Sequence, residues 1–328
     1  MSASKEPALG SWARKVEGGL LAEPRDEREL TEVIHVLADR GVALHKDITL
    51  SRARLTQLDP VAADSMTVAA GAGVVLNDLD AHLKPHGLTI GPLSPAAMSL
   101  RLGEFLEGPY AGLRSIPGGR LEPVCTSLTA ITADGRRLET SRSPRSAAGP
   151  DLSALVLGAA GRIALVTRGV VRCMPFPERD VRVAYSFPSA LAFVTALQRS
   201  IAEGFWPWRV HADSKSGRVI AEVRWAASVG SVERDRELLS RCVEEAGGRG
   251  AGESEREGPV SVEHESTWDA VLASLEQGRA LQLFRLSLTT VVARGDVEGV
   301  PLNEPTGWTS LGGRLLALDS RGVFGGAP

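Results

Sequence analysis

The stretch from Asp151 to Pro177 constrains the fold of this chain more than any other. It contains a short helical pattern, two closely spaced glycines (Gly158 and Gly161) and two strand-like apolar runs, followed by Pro175 and Pro177. Short apolar runs bounded by glycine and proline predict strands. Because helical and extended patterns also alternate further upstream, the chain is expected to mix helices and sheets.

Residues 26–40 predict an amphipathic helix, with a capping box formed by Asp26 and Glu29 and an end at Gly41. A buried strand is predicted over 66–70, a second helix over 74–86, and a strand, an Asp-Gly turn and a strand over 127–140. The segment 91–120 is rich in Gly, Pro and Ser and is predicted to be a loop.

A domain boundary is predicted at 174–180, where two prolines and three charged residues fall within seven positions. The pattern that follows predicts strand, helix, strand, strand and helix between 181 and 246, then a Gly- and Glu-rich loop over 246–262. A short helix at 267–276 and one strand at 281–293 complete this part.

Composition and motifs exclude several functions. The net charge is −3, so the chain has no overall positive charge to attract nucleic acid. The three cysteines do not have the spacing of a metal-binding site. No apolar run reaches the ~18 residues that a membrane span needs, and no signal peptide is visible, which predicts a cytoplasmic protein. His82 and His86 are four residues apart on a helix, but a solvated helix face is favoured over a metal site.

The segment 145–177 resembles the end of the FAD-binding domain of the vanillyl-alcohol-oxidase family, also called PCMH-type flavoproteins. The family pattern is approximately A-G-Y-D-L-x-x-L-x-x-G-S-x-G-x-L-G-I-I-T followed by two prolines. The positions that match it are Ala148, Gly149, Asp151, Leu152, Leu155, Gly158, Gly161, Ile163, Val166, Thr167, Pro175 and Pro177. Chain size and the tail L-D-S-R-G-V-F-G-G most resemble the small flavin subunit of bacterial glycolate oxidase.

The resemblance implies an α+β protein in which a two-subdomain PCMH-type FAD-binding fold precedes a truncated ferredoxin-like cap domain. Its parts would be an N-terminal tail (1–19), the FAD-binding domain (20–178), a reduced α+β cap (179–312) and a tail returning to the FAD domain (313–328). FAD is the implied cofactor. The implied cofactor-binding residues are Pro92, Gly118, Gly119, Gly149, Gly158, Gly161 and Ile163.

The chain departs from the family where the FAD pyrophosphate is held. The family has a Gly-rich loop after its first strand and helix, whereas no glycine occurs here between Gly41 and Gly71. A backbone N–H to a phosphate contributes about 1.5–3 kcal/mol, so losing about three contacts costs roughly 5 kcal/mol, or more than a thousandfold in affinity. His45 and Lys46 would restore only part of this lost binding free energy, because side chains are less preorganised than backbone amides.

Three functions therefore stay open. The chain is a flavin oxidoreductase subunit acting with partner subunits on a 2-hydroxy acid, with no catalytic base that can be named from the sequence. Alternatively it is a non-catalytic accessory subunit whose flavin groove is filled by side chains such as Leu100, Leu102 and Phe105. The third possibility is another ligand, a nucleotide or small anion, near His45, Lys46 and Arg52.

Overall fold

A computed structural model describes residues 12–16, 19–40, 48–116, 120–141, 151–252 and 262–302. The described chain mixes helices and sheets, as predicted. One group of small sheets is formed by residues up to Pro175, and a single larger sheet is formed from Arg179 onward. The domain boundary at 174–180 stays a prediction.

The strands of the N-terminal region are β1 (Ala13–Val16), β2 (Gly19–Ala22), β3 (Ile48–Leu50), β4 (Thr67–Gly71), β5 (Leu88–Thr89), β6 (Leu113–Ile116), β7 (Arg120–Pro123), β8 (Cys125–Thr132), β9 (Arg137–Glu139), β10 (Ala164–Arg172) and β11 (Met174–Pro175). Its helices are α1 (Glu27–Arg40), α2 (Leu76–Leu83), α3 (Pro95–Met98), α4 (Leu102–Glu107) and α5 (Ser153–Val156). The sheets include β1-β2-β3, with β2 and β3 parallel, and the antiparallel β4-β10-β8-β9.

The predicted amphipathic face of α1 is confirmed, since Leu30, Val33 and Ile34 are fully buried. The Glu29 N–H donates to the Asp26 carboxylate at 2.8 Å, as the capping box predicts. The Glu29 carboxylate reaches one residue further back than predicted and accepts the Arg25 N–H at 2.8 Å. The helix start is therefore fixed by both partners.

The strands of the C-terminal region are β12 (Arg179–Phe187), β13 (Arg209–Lys215), β14 (Arg218–Ala227), β15 (Arg249–Gly252), β16 (Glu263–Thr267), β17 (Ala280–Phe284), β18 (Thr290–Gly295) and β19 (Val300–Pro301). Its helices are α6 (Ala190–Ala202), α7 (Val229–Glu245) and α8 (Trp268–Glu276). The strands form one sheet in the order β15-β12-β14-β13-β17-β18-β16-β19. One face of this sheet packs on the three helices through residues such as Val210, Val223 and Leu283.

The opposite face of the large sheet meets the N-terminal region. Phe284 of β17 and Val292 of β18 belong to the same buried cluster as Phe105 and Leu102 of α4. Because side chains alternate between the faces of a strand, residues two apart from Phe284 and Val292 also point toward the N-terminal region. No helix within the described ranges is long and apolar enough to cross a membrane.

Three sequence predictions are wrong. The segment 246–262 is not only loop, because β15 lies in it and pairs with β12. The segment 91–120 is not only loop: it contains α3, α4 and β6. Ser94 caps α3 by accepting the Ala97 N–H at 3.2 Å, and Pro95 occupies the first helical position, which is a start signal that composition alone conceals. The predicted strand 281–293 is two strands, because Arg285 has a φ of 42° and the Ser287 side chain accepts the Thr290 N–H at 2.8 Å, closing a turn.

Candidate functional site

The first candidate site lies at one end of β10. Strand β4 pairs with β10 only over Arg168–Arg172, so the Ala164–Val166 end extends past β4 and its outward backbone groups need other partners. The Val166 N–H donates to Glu107 Oε1 at 2.5 Å, and the Val166 carbonyl accepts from Arg52 Nη1 at 3.0 Å. Two side chains thus close this strand edge.

Arg52 and Glu107 also bind each other. Arg52 Nη2 lies 2.7 Å from Glu107 Oε2, and Arg52 Nη1 donates to Glu107 Oε1, so the pair is bidentate. The exposed fractions of the side chains are only 14% and 5%. A Cβ at Gly103 would lie 3.1 Å from Arg52 Nη1, so this glycine leaves room for the guanidinium. Burying an ion pair is costly, and the hydrogen bonds to the Val166 backbone offset part of that cost.

The predicted cofactor residues Gly158, Gly161 and Ile163 lie in the segment that packs against this pair. Gly158 and Gly161 have φ values of 73° and 72°, which favour glycine, and Ile163 is buried. The Gly158 N–H donates to the Leu106 carbonyl at 2.9 Å, so that amide is engaged within the chain. A Cβ at Gly161 would lie 3.4 Å from Glu107 Oε2.

The remaining predicted residues are elsewhere. Gly118, Gly119 and Gly149 lie outside the described residues, as do His45 and Lys46. At the β10 edge, the outward N–H and carbonyl of Val166 are bonded to Glu107 and Arg52. These two backbone groups are therefore engaged within the chain, and no reaction step is assigned to the cofactor.

Pro92 lies in a second area, where the N-terminal region contacts the large sheet. It lines a cavity of about 20 Å³ with Tyr110, Trp208 and Arg285 among others. A space of that size holds about one water molecule. The grouping of Pro92 with the glycine segment 158–163 in one cofactor site stays a prediction.

A buried polar cluster, Ser94, Tyr110, Glu263 and Arg294, borders this cavity. Glu263 Oε2 accepts from Ser94 Oγ at 2.7 Å and from the Tyr110 hydroxyl, and Glu263 Oε1 accepts from Arg294 Nη2 at 3.1 Å. Burial, followed by the negative charge of Glu263, raises the pKa of Tyr110. The phenol therefore keeps its proton at neutral pH and ties the N-terminal region to the large sheet.

Sequence reasoning misses most of these residues. It includes Arg52 as an anion contact but not Glu107, Tyr110 or Glu263, since their partners lie 55 to 169 residues away in the chain. The nearest signal in the sequence is that Glu107 directly follows the apolar pair Phe105 and Leu106. The two histidines considered as metal ligands differ in exposure: His82 is half-buried and His86 is exposed. Within the described ranges, no group of three or more potential metal ligands converges.

Comparison with known proteins identifies the fold. The family model described as FAD binding domain matches residues 34–141. The structure superposes on alkyldihydroxyacetonephosphate synthase with a TM-score of 0.69 at 13% identity, covering 92% of this chain and 74% of that one. Residues 34–141 thus resemble a FAD binding domain, and the chain has the fold of PCMH-type FAD-binding flavoproteins.

Two curated relatives show how far the similarity extends. D-lactate dehydrogenase of Archaeoglobus fulgidus is 32% identical over 155 residues, which cover 47% of this chain and 34% of that protein. D-2-hydroxyglutarate dehydrogenase of Bos taurus is 28% identical over 200 residues, or 55% of this chain and 36% of that protein. The chain thus spans about a third of the length of these relatives. The family matches support FAD binding within an oxidoreductase family.

Proposed function

We propose that this chain is an accessory, non-catalytic subunit of a flavin-dependent 2-hydroxy-acid oxidoreductase of the glycolate oxidase type. It keeps the PCMH-type scaffold while its own dinucleotide groove is closed. The observation that carries the proposal is the Arg52–Glu107 pair, which bonds both outward backbone groups of Val166. A dinucleotide reaching this edge would have to displace a buried bidentate ion pair.

Two further observations support the proposal. Leu102 and Phe105 of α4 are fully buried in the core, as expected if side chains fill the groove. The glycine-free sequence from Val42 to Ala70 removes the residues that let a backbone wrap a pyrophosphate. Under this proposal the chain acts through protein partners and is cytoplasmic.

Flavin content tests the proposal directly. The full chain, purified from flavin-supplemented cells, should be colourless and should stay so on FAD titration, while stoichiometric partner subunits co-purify and remain bound without added FAD. A yellow protein with one tightly bound FAD, or a monodisperse monomer with no partner, contradicts the accessory role.

Two sets of variants test whether the Arg52–Glu107 pair prevents FAD binding. A Gly-Gly-Gly graft between Leu44 and Ile48, combined with Arg52→Ala and Glu107→Ala, should restore measurable FAD binding. The matched control combines the same graft with removal of another ion pair, Arg114–Glu122, whose nitrogen and oxygen are 2.6 Å apart. If both sets gain FAD affinity equally, the Arg52–Glu107 pair is not what closes the groove.

A second function is that the chain itself oxidises a 2-hydroxy acid such as glycolate, using bound FAD. The names of its relatives favour this, since both D-lactate and D-2-hydroxyglutarate are 2-hydroxy acids. Dye-coupled oxidation of glycolate and D-lactate by the isolated, FAD-loaded chain distinguishes the two functions. Turnover that depends on added FAD supports the catalytic function and excludes the accessory one.

A further inference from the structure

Three arginines lie side by side on the face of the large sheet opposite α6, α7 and α8. Arg182 of β12 is directly opposite Arg224 of β14, and Arg224 is directly opposite Arg209 of β13. The neighbouring residues Val183, Val223 and Val210 pack on the helices, so the arginines point the other way. Directly opposed residues on antiparallel strands have Cβ atoms about 4.5–5.5 Å apart, and like charges there are destabilising.

A second row of polar side chains lies on the same face, two residues further along the strands from the three arginines. Glu222, His211 and Gln282 are directly opposed on β14, β13 and β17, and they are exposed by only 1%, 4% and 5%. The row continues to Arg294 and Glu263, the residues of the buried polar cluster. A sheet face turned toward a protein interior is ordinarily apolar, whereas this one carries charged and hydrogen-bonding groups across five strands.

Arg209 is incompletely neutralised. Its Nη2 lies 3.5 Å from Glu222 Oε1, a long ion pair, and its side chain is 21% exposed. Burial and then the charge of Arg224 lower the pKa of Arg209, and Glu222 offsets this only in part. Arg224 is better neutralised, because its Nε donates to Asp180 Oδ1 at 2.8 Å. A further negative charge beside Arg209 would therefore be stabilised.

We propose that Arg182, Arg209 and Arg224 form a binding site for the carboxylate or phosphate group of a small ligand, with His211 beside it to donate or accept a hydrogen bond. Planar guanidinium groups match both kinds of oxyanion by paired N–H donors. The side chains of Arg209 and Arg224 are only 21% and 29% exposed, which suits contact with a small anion better than contact with a macromolecule. This site does not depend on whether the flavin groove is open or closed.

Anion titration of the full chain tests the site. Isothermal titration calorimetry and thermal unfolding are measured with sodium phosphate and with sodium glycolate, each against sodium chloride at equal ionic strength. Binding of phosphate, of glycolate or of both beyond the chloride baseline supports an oxyanion site, and the two titrations identify which group is preferred. No effect beyond chloride overturns the proposal.

Two variants distinguish anion binding at this site from a general effect of the protein's positive charge. Arg209→Gln should weaken the binding about tenfold or more. Arg218→Gln removes the same charge from an exposed position of β14 and should leave the affinity within about twofold. Equal losses in the two variants, or an unchanged affinity in Arg209→Gln, refute the assignment. If Arg209→Gln does not fold by circular dichroism, Arg209→Lys and Arg182→Gln provide the same comparison.

Discussion

Replacing Glu107 by alanine removes the acceptor at the centre of the β10 edge. The carboxylate accepts from both terminal nitrogens of Arg52 and from the Val166 N–H. Its loss leaves a guanidinium that is only 14% exposed without its counter-charge, and a buried N–H without a partner. Breaking a buried ion pair from one side costs about 3–5 kcal/mol, so this is the expected loss in free energy of unfolding.

The double variant isolates the pair itself. Arg52→Leu combined with Glu107→Leu removes both charges. The loss in free energy of unfolding should therefore be at least about 2 kcal/mol smaller than the sum of the losses from the two single changes. Urea unfolding followed by circular dichroism measures the stabilities. Hydrogen exchange of the peptide containing Val166 measures the local effect. Additive costs, or a Glu107→Ala cost below about 1 kcal/mol, would show that the pair does not close the strand edge.

Other predictions concern separate parts of the fold. Tyr110→Phe should lower the free energy of unfolding by about 2 kcal/mol, because a buried hydrogen bond to the Glu263 carboxylate is lost; a cost near zero in urea unfolding would contradict that role. Cys125 should resist thiol reagents in the native state, since burial raises its pKa to about 12, and rapid labelling without unfolding would contradict its burial. Hydrogen bonding to Arg25 lowers the pKa of Glu29 below its ordinary value of 4.5, so its contribution to stability is complete above that pH and is lost as the pH falls through the lowered value. Compared with Glu29→Gln, the wild-type chain should lose more stability on acidification, and identical pH profiles would exclude this contribution.

Local signals in the sequence are enough to predict much of the fold. The apolar spacing of α1 places Leu30, Val33 and Ile34 in the core, and the spacing depends only on the helical period. The Asp-Gly turn predicts the β8–β9 hairpin for the same reason, since a turn is set by adjacent residues. The glycine pattern at 158–161 indicates the family because its spacing lies within one short segment of the chain.

Cross-chain contacts cannot be predicted in the same way. The partners of Glu107 are Arg52 and Val166, which are 55 and 59 residues away, and the pair forms only because α4 packs beside the β10 edge. The sequence predicts a loop where α4 lies, because glycines and prolines in 91–120 obscure the short apolar run.

The sequence by itself determined the helix faces, the hairpins and the family scaffold, since each depends on residues close together in the chain. Only the tertiary structure decided that an ion pair closes the end of β10 and that three arginines meet on one face of the large sheet. Strand register sets which residues are opposed across strands, and register depends on the packing of the whole sheet rather than on any single segment.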